Sequence, residues 1–435
     1  MSFSLLLYNA LLLVGLVWGW PILLLWLALN PKTRAGLGAK WGVYPSAFLA
    51  RLAAQRQRQQ PQLWFHAVSV GEFNAIKPLV ADLKDQFAIT ITTTTLTGQT
   101  LAQNTFPDLP ITYFPIDFRP VLHHAVHNIR PDLVILTETE LWPNAVDVIA
   151  RSHQIPIFLI NGRISATSFK GYQRFKPLIG PLLRQIKHLF MQSEADANRV
   201  LALGAEAKKI TVAGNIKFDL NPTIDDTQLA TLKGCFNFGE RDTVLVCAST
   251  HSGEDAPLLQ AYLTLRKDFP ELKLILAPRH PERRAEIRNL LQSQGVPFSL
   301  RSQLSTEHPN TSPIVVLDAI GELLATYRLS HLAIMGGSFI PHGGQNPLEP
   351  ISQNIPVIFG PYMFNFAQIT KLIRENHVGL QIDSPDGAVD AVTQLLTQPE
   401  VYQAMVLRGQ KILKTNRGAK AILQNAITQH FAPHA

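Results

Sequence analysis

A chain of 435 residues is too long for one ordinary hydrophobic core, so two domains of about 150–200 residues are expected. Its 46 % apolar and 16 % charged residues suit a folded protein rather than a disordered one, and Lys plus Arg (39) exceed Asp plus Glu (32) by 7, which favours anionic ligands or an anionic membrane surface. No recognition helix, RNP motif or zinc-finger spacing points to nucleic acid, and two cysteines without CxxC spacing, Cys235 and Cys247, indicate neither a disulfide scaffold nor a metal site.

The N-terminal run Phe3–Leu29 carries no charged side chain. Coiled as a helix it reaches about 40 Å, more than the roughly 30 Å hydrocarbon core of a bilayer, and Pro21 is expected to kink it. It lacks the basic n-region and small-residue cleavage site of a signal peptide. Lys32, Arg34, Lys40, Arg51, Arg56 and Arg58 follow it without an acidic residue, and no Lys or Arg precedes it. The positive-inside rule therefore predicts a single-pass anchor with the body on the cytoplasmic face of the inner membrane. Trp18, Trp20, Trp26 and Trp41 are candidate interfacial residues. A buried N-terminal helix is the alternative.

From Gln62 onward, short continuous apolar runs alternate with helical patterns. The runs Leu63–Val70, Ala88–Thr94, Leu133–Thr137, Pro156–Ile160, His188–Gln192 and Ile210–Ala213 predict one parallel sheet covered by helices on both faces. After a polar break at Asp219–Asp226, containing Pro222, the pattern resumes at Thr243–Ala248, Lys273–Ala277, Ile314–Leu317, His331–Met335, Pro356–Phe359 and Gly379–Ile382. The fold class is thus α/β, with two doubly wound Rossmann-like domains and an N-terminal transmembrane helix. The anchor is assigned to residues 1–30, one domain to 31–220 and the other, with closing helices, to 221–435. Ligands of such domains bind outside the carboxyl ends of the strands.

Five clusters stand at such strand ends. Ser69-Val-Gly-Glu72 leads from a strand into a helix, with Gly71 read as permitting a sharp turn. A carboxylate there can take a proton from a sugar hydroxyl, or can simply complement the helix dipole, and spacing alone leaves both open. Glu138 and Glu140 in Thr137-Glu-Thr-Glu-Leu-Trp-Pro-Asn144 form a carboxylate pair that suits an oxocarbenium-like centre, or else a helix start at Pro143. Arg279, in Pro278-Arg-His-Pro-Glu-Arg283, can pair with a phosphate, and Asp318-Ala-Ile-Gly-Glu322 offers a backbone amide at Gly321. In Gly336-Gly-Ser-Phe-Ile-Pro-His-Gly-Gly-Gln-Asn-Pro-Leu-Glu-Pro350, glycines free the backbone to approach a ligand, and Asn346 is expected to cap a helix holding Pro347 and Glu349, whose start can receive a phosphate. No GxGxxG fingerprint is present, which argues against a nicotinamide-dependent oxidoreductase.

In this order, SVGE, ETELWPN, QSEADA (192–197), GNIKFD (214–219), PRHPER and GGSFIPHGGQNPLEP resemble the motif series of bacterial 3-deoxy-D-manno-octulosonic acid (Kdo) transferases, over nearly the whole chain and including the apolar N-terminus. Gln345 departs modestly from a position where the family often has His. The resemblance implies a GT-B glycosyltransferase with two domains facing a cleft. Its expected reaction is inverting transfer of Kdo from CMP-Kdo to a lipid A precursor (lipid IVA), in lipopolysaccharide biosynthesis at the membrane, with no cofactor or metal. It implies Glu72 as general base. It also implies Glu140, Glu138 and Lys217 in stabilising the transition state. Pro278, Arg279, Ile320, Gly321, Glu322, Asn346, Pro347, Leu348 and Glu349 are implied in binding CMP. Another nucleotide sugar with another lipid acceptor, or a sugar-binding homologue without catalysis, are the competing readings.

Overall fold

Apolar, β-branched runs with little charge are expected to lie in sheet interiors, and they do so twice in this chain. The computed structural model describes residues 2–29, 34, 36–219 and 224–432, apart from the side chains of residues 16 and 20–29. It divides into two units, Met1–Asp219 with Asn416–Ala435, and Leu220–Thr415.

The first unit holds a parallel sheet of seven strands, β1 (Gln62–His66), β2 (Ala88–Thr93), β3 (Ile111–Tyr113), β4 (Leu133–Thr137), β5 (Ile157–Gly162), β6 (His188–Met191) and β7 (Ile210–Val212), in the order β3-β2-β1-β4-β5-β6-β7. Side chains alternate faces along a strand. Accordingly Trp64, Val134 and Leu136 join the core on one face, while Leu63, Phe65, Leu133 and Ile135 join that on the other. The helices that bear on the site and its surroundings are α1 (Phe3–Leu29), α2 (Val70–Leu83), α3 (Pro143–Val146), α4 (Ala166–Arg174) and α5 (Lys176–Gln185).

The second unit repeats the design with β8 (Thr243–Thr250), β9 (Leu272–Pro278), β10 (Phe298–Leu300), β11 (Ile314–Val316), β12 (Leu332–Met335), β13 (Val357–Phe359) and β14 (Gly379–Gln381), ordered β10-β11-β9-β8-β12-β13-β14 and again all parallel. Its glycine-rich stretch leads into the short helix α6 (Leu348–Ser352).

The final helix, α7 (Ala419–Phe431), belongs to the first unit, whereas the sequence assigns the closing helices to the second domain. Leu423 and Ile427 are buried with Leu63 and Phe65, each contributing about 2 kcal/mol on ordinary transfer energies. Asp219 fixes the start of α7 by accepting hydrogen bonds from the backbone N–H of Gly418 and Lys420, both at 2.6 Å.

The predicted anchor forms a helix over the stated run, continuing through Pro21. The proposed kink there and the interfacial roles of Trp20 and Trp26 rest on side chains outside the described residues, as do Lys32 and Pro222. Among the described residues, no helix is long and apolar enough to cross a membrane.

Candidate active site

A doubly wound sheet opens a crevice where consecutive connections leave in opposite directions. In the first unit this point lies between β1 and β4, and the loops that leave those two strands carry Ser69–Glu72 and Glu138–Asn144.

Ser69 caps α2, its hydroxyl oxygen accepting from the Glu72 N–H at 3.4 Å. Glu72 returns the contact, accepting from the Val68 N–H at 2.8 Å and from the Ser69 hydroxyl at 3.4 Å. Ser69 thus caps the helix while Glu72 reaches back to the residue before the cap, a variant of the capping box, so the helix-start reading of Glu72 is correct at the level of local structure. The carboxyl is nevertheless unusual. Burial, and then the negative charges of Glu138 and Glu140, push its pKa up to about 8, against the hydrogen bonds from Val68 and Ser69. Gly71 is not in a left-handed conformation; it lies within the first turn of α2 and is exposed, so the sharp turn expected there is absent.

Glu138 directly follows β4 with a φ of 58°, a conformation that costs a residue with a side chain of order 1 kcal/mol or more. Its carboxylate meets the Lys217 ammonium at 3.3 Å. Glu140 accepts from the Trp142 indole N–H at 2.9 Å, and burial raises its pKa, with the Glu138 charge adding to the effect. The structure therefore brings Glu72, Glu138, Glu140 and Lys217 together, one buried carboxyl of high proton affinity beside two half-buried carboxylates and a cation. Such a group can act as a base once a ligand has partly neutralised its neighbours and let it ionise.

The remaining first-unit motifs prove to be supports. Asp196 of QSEADA is buried and accepts from the Ile164 N–H at 2.9 Å. Asn215 of GNIKFD accepts from the Lys217 N–H at 3.0 Å, and buried Asn161, with a φ of 52°, accepts from the Ile216 N–H at 3.1 Å. These contacts fix the backbone that carries Lys217.

In the second unit the crevice lies between β8 and β12, and loops from the adjacent strands β11, β9, β8 and β12 gather at their carboxyl ends. Pro278 ends β9, and the N–H of Arg279 donates to the Thr250 carbonyl at 2.9 Å, leaving the guanidinium exposed. Glu349 has its pKa raised by burial, while Asn346 and the Arg279 charge act in the opposite sense, so these residues lie within electrostatic reach of one another. Asn346 accepts from the Leu348 N–H at 3.2 Å and donates to Glu349 at 3.4 Å. The helix they begin has only five residues, a shorter element than the capped helix expected, and Leu348 is fully buried. Ile320 is 88 % exposed and Gly321 has a φ of 86°. Glu322, by contrast, is held by Arg301 through both oxygens, at 2.8 and 3.0 Å, so its side chain is already engaged.

Two features escaped the sequence reading. Glu254 is fully buried and accepts from the N–H groups of His251 (2.9 Å), Gly337 (2.7 Å) and Phe339 (3.0 Å), so one carboxylate organises the start of the glycine-rich loop. Gly336 has to be glycine, because a Cβ there would lie 2.5 Å from the Ser249 carbonyl oxygen. In addition, His251 stacks on His342 with ring centroids 4.4 Å apart and meets His280 edge-on at 5.9 Å. Burial and the nearby His342, His280, Arg279 and Arg283 lower the His251 pKa to about 4. Clustered imidazoles and arginines make this end of the sheet suited to an anion. The run Thr250-His-Ser-Gly-Glu254 after a strand was the available signal.

A family model described as 3-Deoxy-D-manno-octulosonic-acid transferase (kdotransferase) matches residues 39–220. The 3-deoxy-D-manno-octulosonic acid transferase of Haemophilus influenzae is 34 % identical over 424 residues, covering 95 % of each chain. The chain belongs to the Kdo transferase family. The enzyme of the same name from Bordetella pertussis is 31 % identical and covers 88 % of this chain and 90 % of its own. Among solved structures, the UDP-GlcNAc 2-epimerase of Neisseria meningitidis superimposes with a TM-score of 0.56 at 15 % identity, over 84 % of this chain and all of that one, a likeness of fold alone. The chain thus has a GT-B-like α/β fold with two parallel seven-stranded sheets.

Proposed function

We propose that this Kdo transferase moves Kdo from CMP-Kdo to a lipid A precursor, with inversion, as a step of lipopolysaccharide biosynthesis. The observation that carries the chemistry is the buried Glu72, whose raised proton affinity comes from burial and from Glu138 and Glu140. As general base it takes the proton of the acceptor hydroxyl while that oxygen attacks the anomeric carbon of Kdo. The bond from that carbon to the phosphate oxygen breaks, and CMP leaves with the electron pair. Lys217 supplies a cation for the negative charge of the Kdo carboxylate, and Glu140, with Glu138, stabilises positive charge developing on the sugar ring. The second unit receives the donor. Arg279 neutralises the single phosphate, Asn346 and Glu349 fix the nucleoside, and Pro278, Ile320, Gly321, Pro347 and Leu348 shape the pocket, with Glu322 acting through its main chain. The apolar N-terminus holds the body at the cytoplasmic face of the inner membrane, where the acceptor lies.

The identity of the nucleotide separates this reading from that of another sugar donor. In titration calorimetry CMP is expected to bind more tightly than UDP. Preferential binding of UDP would move the assignment to a different nucleotide sugar.

A further inference from the structure

The carboxyl end of β5 departs from the regular ladder. Leu159 pairs with Leu189 of β6 and Gly162 with Met191, so β5 carries one more residue than its neighbour between those pairs. The surplus is taken up at Ile160 and Asn161, where Asn161 has a left-handed φ of 52°. A bulge of this kind interrupts the alternation of faces and re-aims a side chain. Leu159 packs in the core on one face of the sheet and Ile160 in the core on the other. Strict alternation would return Asn161 to the Leu159 face. Instead its Oδ1 accepts from the Ile216 N–H at 3.1 Å, and Ile216 packs in the same core as Ile160.

Asn161 is 1 % exposed and stands at the centre of a ring of amides. Its carbonyl accepts from Gln192 Nε2 at 2.9 Å, Gln192 Oε1 accepts from Asn215 Nδ2 at 3.1 Å, and Asn215 Oδ1 accepts from the Lys217 N–H at 3.0 Å. With the Asn161–Ile216 bond, these contacts close around the short turn Ile216–Phe218 that carries Lys217. The same bulge holds the other member of the ion pair. The Ile160 carbonyl accepts from the Glu138 N–H at 2.9 Å. Lys217 and Glu138 lie 79 residues apart in the chain and meet at 3.3 Å, and consecutive residues of β5 fix the backbone of both.

We infer that Asn161 is a positioning residue for the transfer reaction: it holds the backbone beside Lys217 while its neighbour Ile160 holds that of Glu138, and so sets where the cation and the carboxylate stand. An ammonium on a flexible four-carbon stem reaches many positions, and a charge helps a reaction only where it is fixed beforehand. The left-handed backbone at Asn161, unfavourable for most residues with a side chain, is retained where it turns the amide towards Ile216. Asn161 acts through Lys217 and Glu138, and the inference rests on the roles proposed above for those two residues.

Asn161→Gly isolates the side chain, because glycine adopts a φ of 52° without strain and keeps the bulge while removing the acceptor. Turnover is expected to fall about tenfold to a hundredfold, the scale of a misplaced catalytic group, with the KM for CMP-Kdo and the affinity for CMP nearly unchanged. In a cycle with Lys217→Ala, the same substitution is expected to cost little further turnover, since the group it positions is gone. A purely structural Asn161 would cost the same factor in both backgrounds. That result, or near-native turnover in a folded Asn161→Gly enzyme, would overturn the inference. Asn215→Ala keeps the test decisive should Asn161→Gly fail to fold. It removes the acceptor of the Lys217 N–H and leaves the bulge intact, so the same split and the same lack of additivity are expected, and an additive loss overturns the inference. Near-native turnover in Lys217→Ala would remove Lys217 from the reaction, and this inference with it, while leaving the transferase assignment standing.

Discussion

Glu72→Gln should lower turnover by about 100- to 10,000-fold, the usual scale for loss of a general base. The amide retains the size of the side chain and can still accept from Val68, so the capping of α2 is largely kept. CMP affinity should hardly change, because the residues assigned to the nucleotide belong to the other unit. The pH dependence sharpens the test. Burial and the Glu138 and Glu140 charges move the Glu72 carboxyl from 4.5 to about 8, so kcat/KM should rise as pH increases toward 8 and the residual activity of the variant should lack that rise. Stability changes in the opposite sense. A carboxyl with a raised folded-state pKa contributes stability that is fully present below about pH 4.5 and is lost as pH climbs through 8, where a buried charge must be accommodated. The Gln variant carries no such charge, so its melting temperature relative to the native enzyme should improve over that interval. Turnover and melting measured on one preparation decide the matter. Near-normal turnover in a folded variant would pass the base role to Glu140 or Glu138.

Arg279→Ala and Glu349→Ala should each weaken CMP binding by about 1–3 kcal/mol, roughly fivefold to 150-fold, if each removes a charge-assisted hydrogen bond to the nucleotide. Their origins differ. The Arg279 side chain is exposed, and its truncation should leave stability nearly unchanged, whereas Glu349 is held against Asn346 and its loss disturbs the entry to α6. Calorimetry with CMP, accompanied by a thermal melt, separates the two effects. Unchanged affinity in both variants would remove this pair of loops from the nucleotide site.

Much of this architecture is legible because a strand covered on both faces is written as a continuous apolar run. Twelve such runs mark strands to within a few residues; β3 and β10 are not announced by such a run. Packing between distant segments is not written locally. The spacing of Leu423 and Ile427 announces a buried face, but nothing in it says that the face belongs to the first sheet. Glu254 has the same character, since two of its three donors lie more than eighty residues away. At the site, the strand-end position of Glu72 was readable, while the approach of Glu138 and Glu140 that raises its pKa depends on β1 and β4 being neighbours. Asn9 interrupts an apolar run in the sequence, and only the fold shows that it meets Asn144, as Tyr8 beside it meets Asp117.

The central claim is a transfer reaction, and its product is the most direct evidence. Purified full-length enzyme, CMP-Kdo and a lipid A precursor should yield, by mass spectrometry, acceptor bearing added Kdo together with an equivalent amount of CMP. The Glu72→Gln protein should yield little of either. An unmodified acceptor in the presence of folded, CMP-binding enzyme, or modification only when a different nucleotide sugar is supplied, would contradict the assignment.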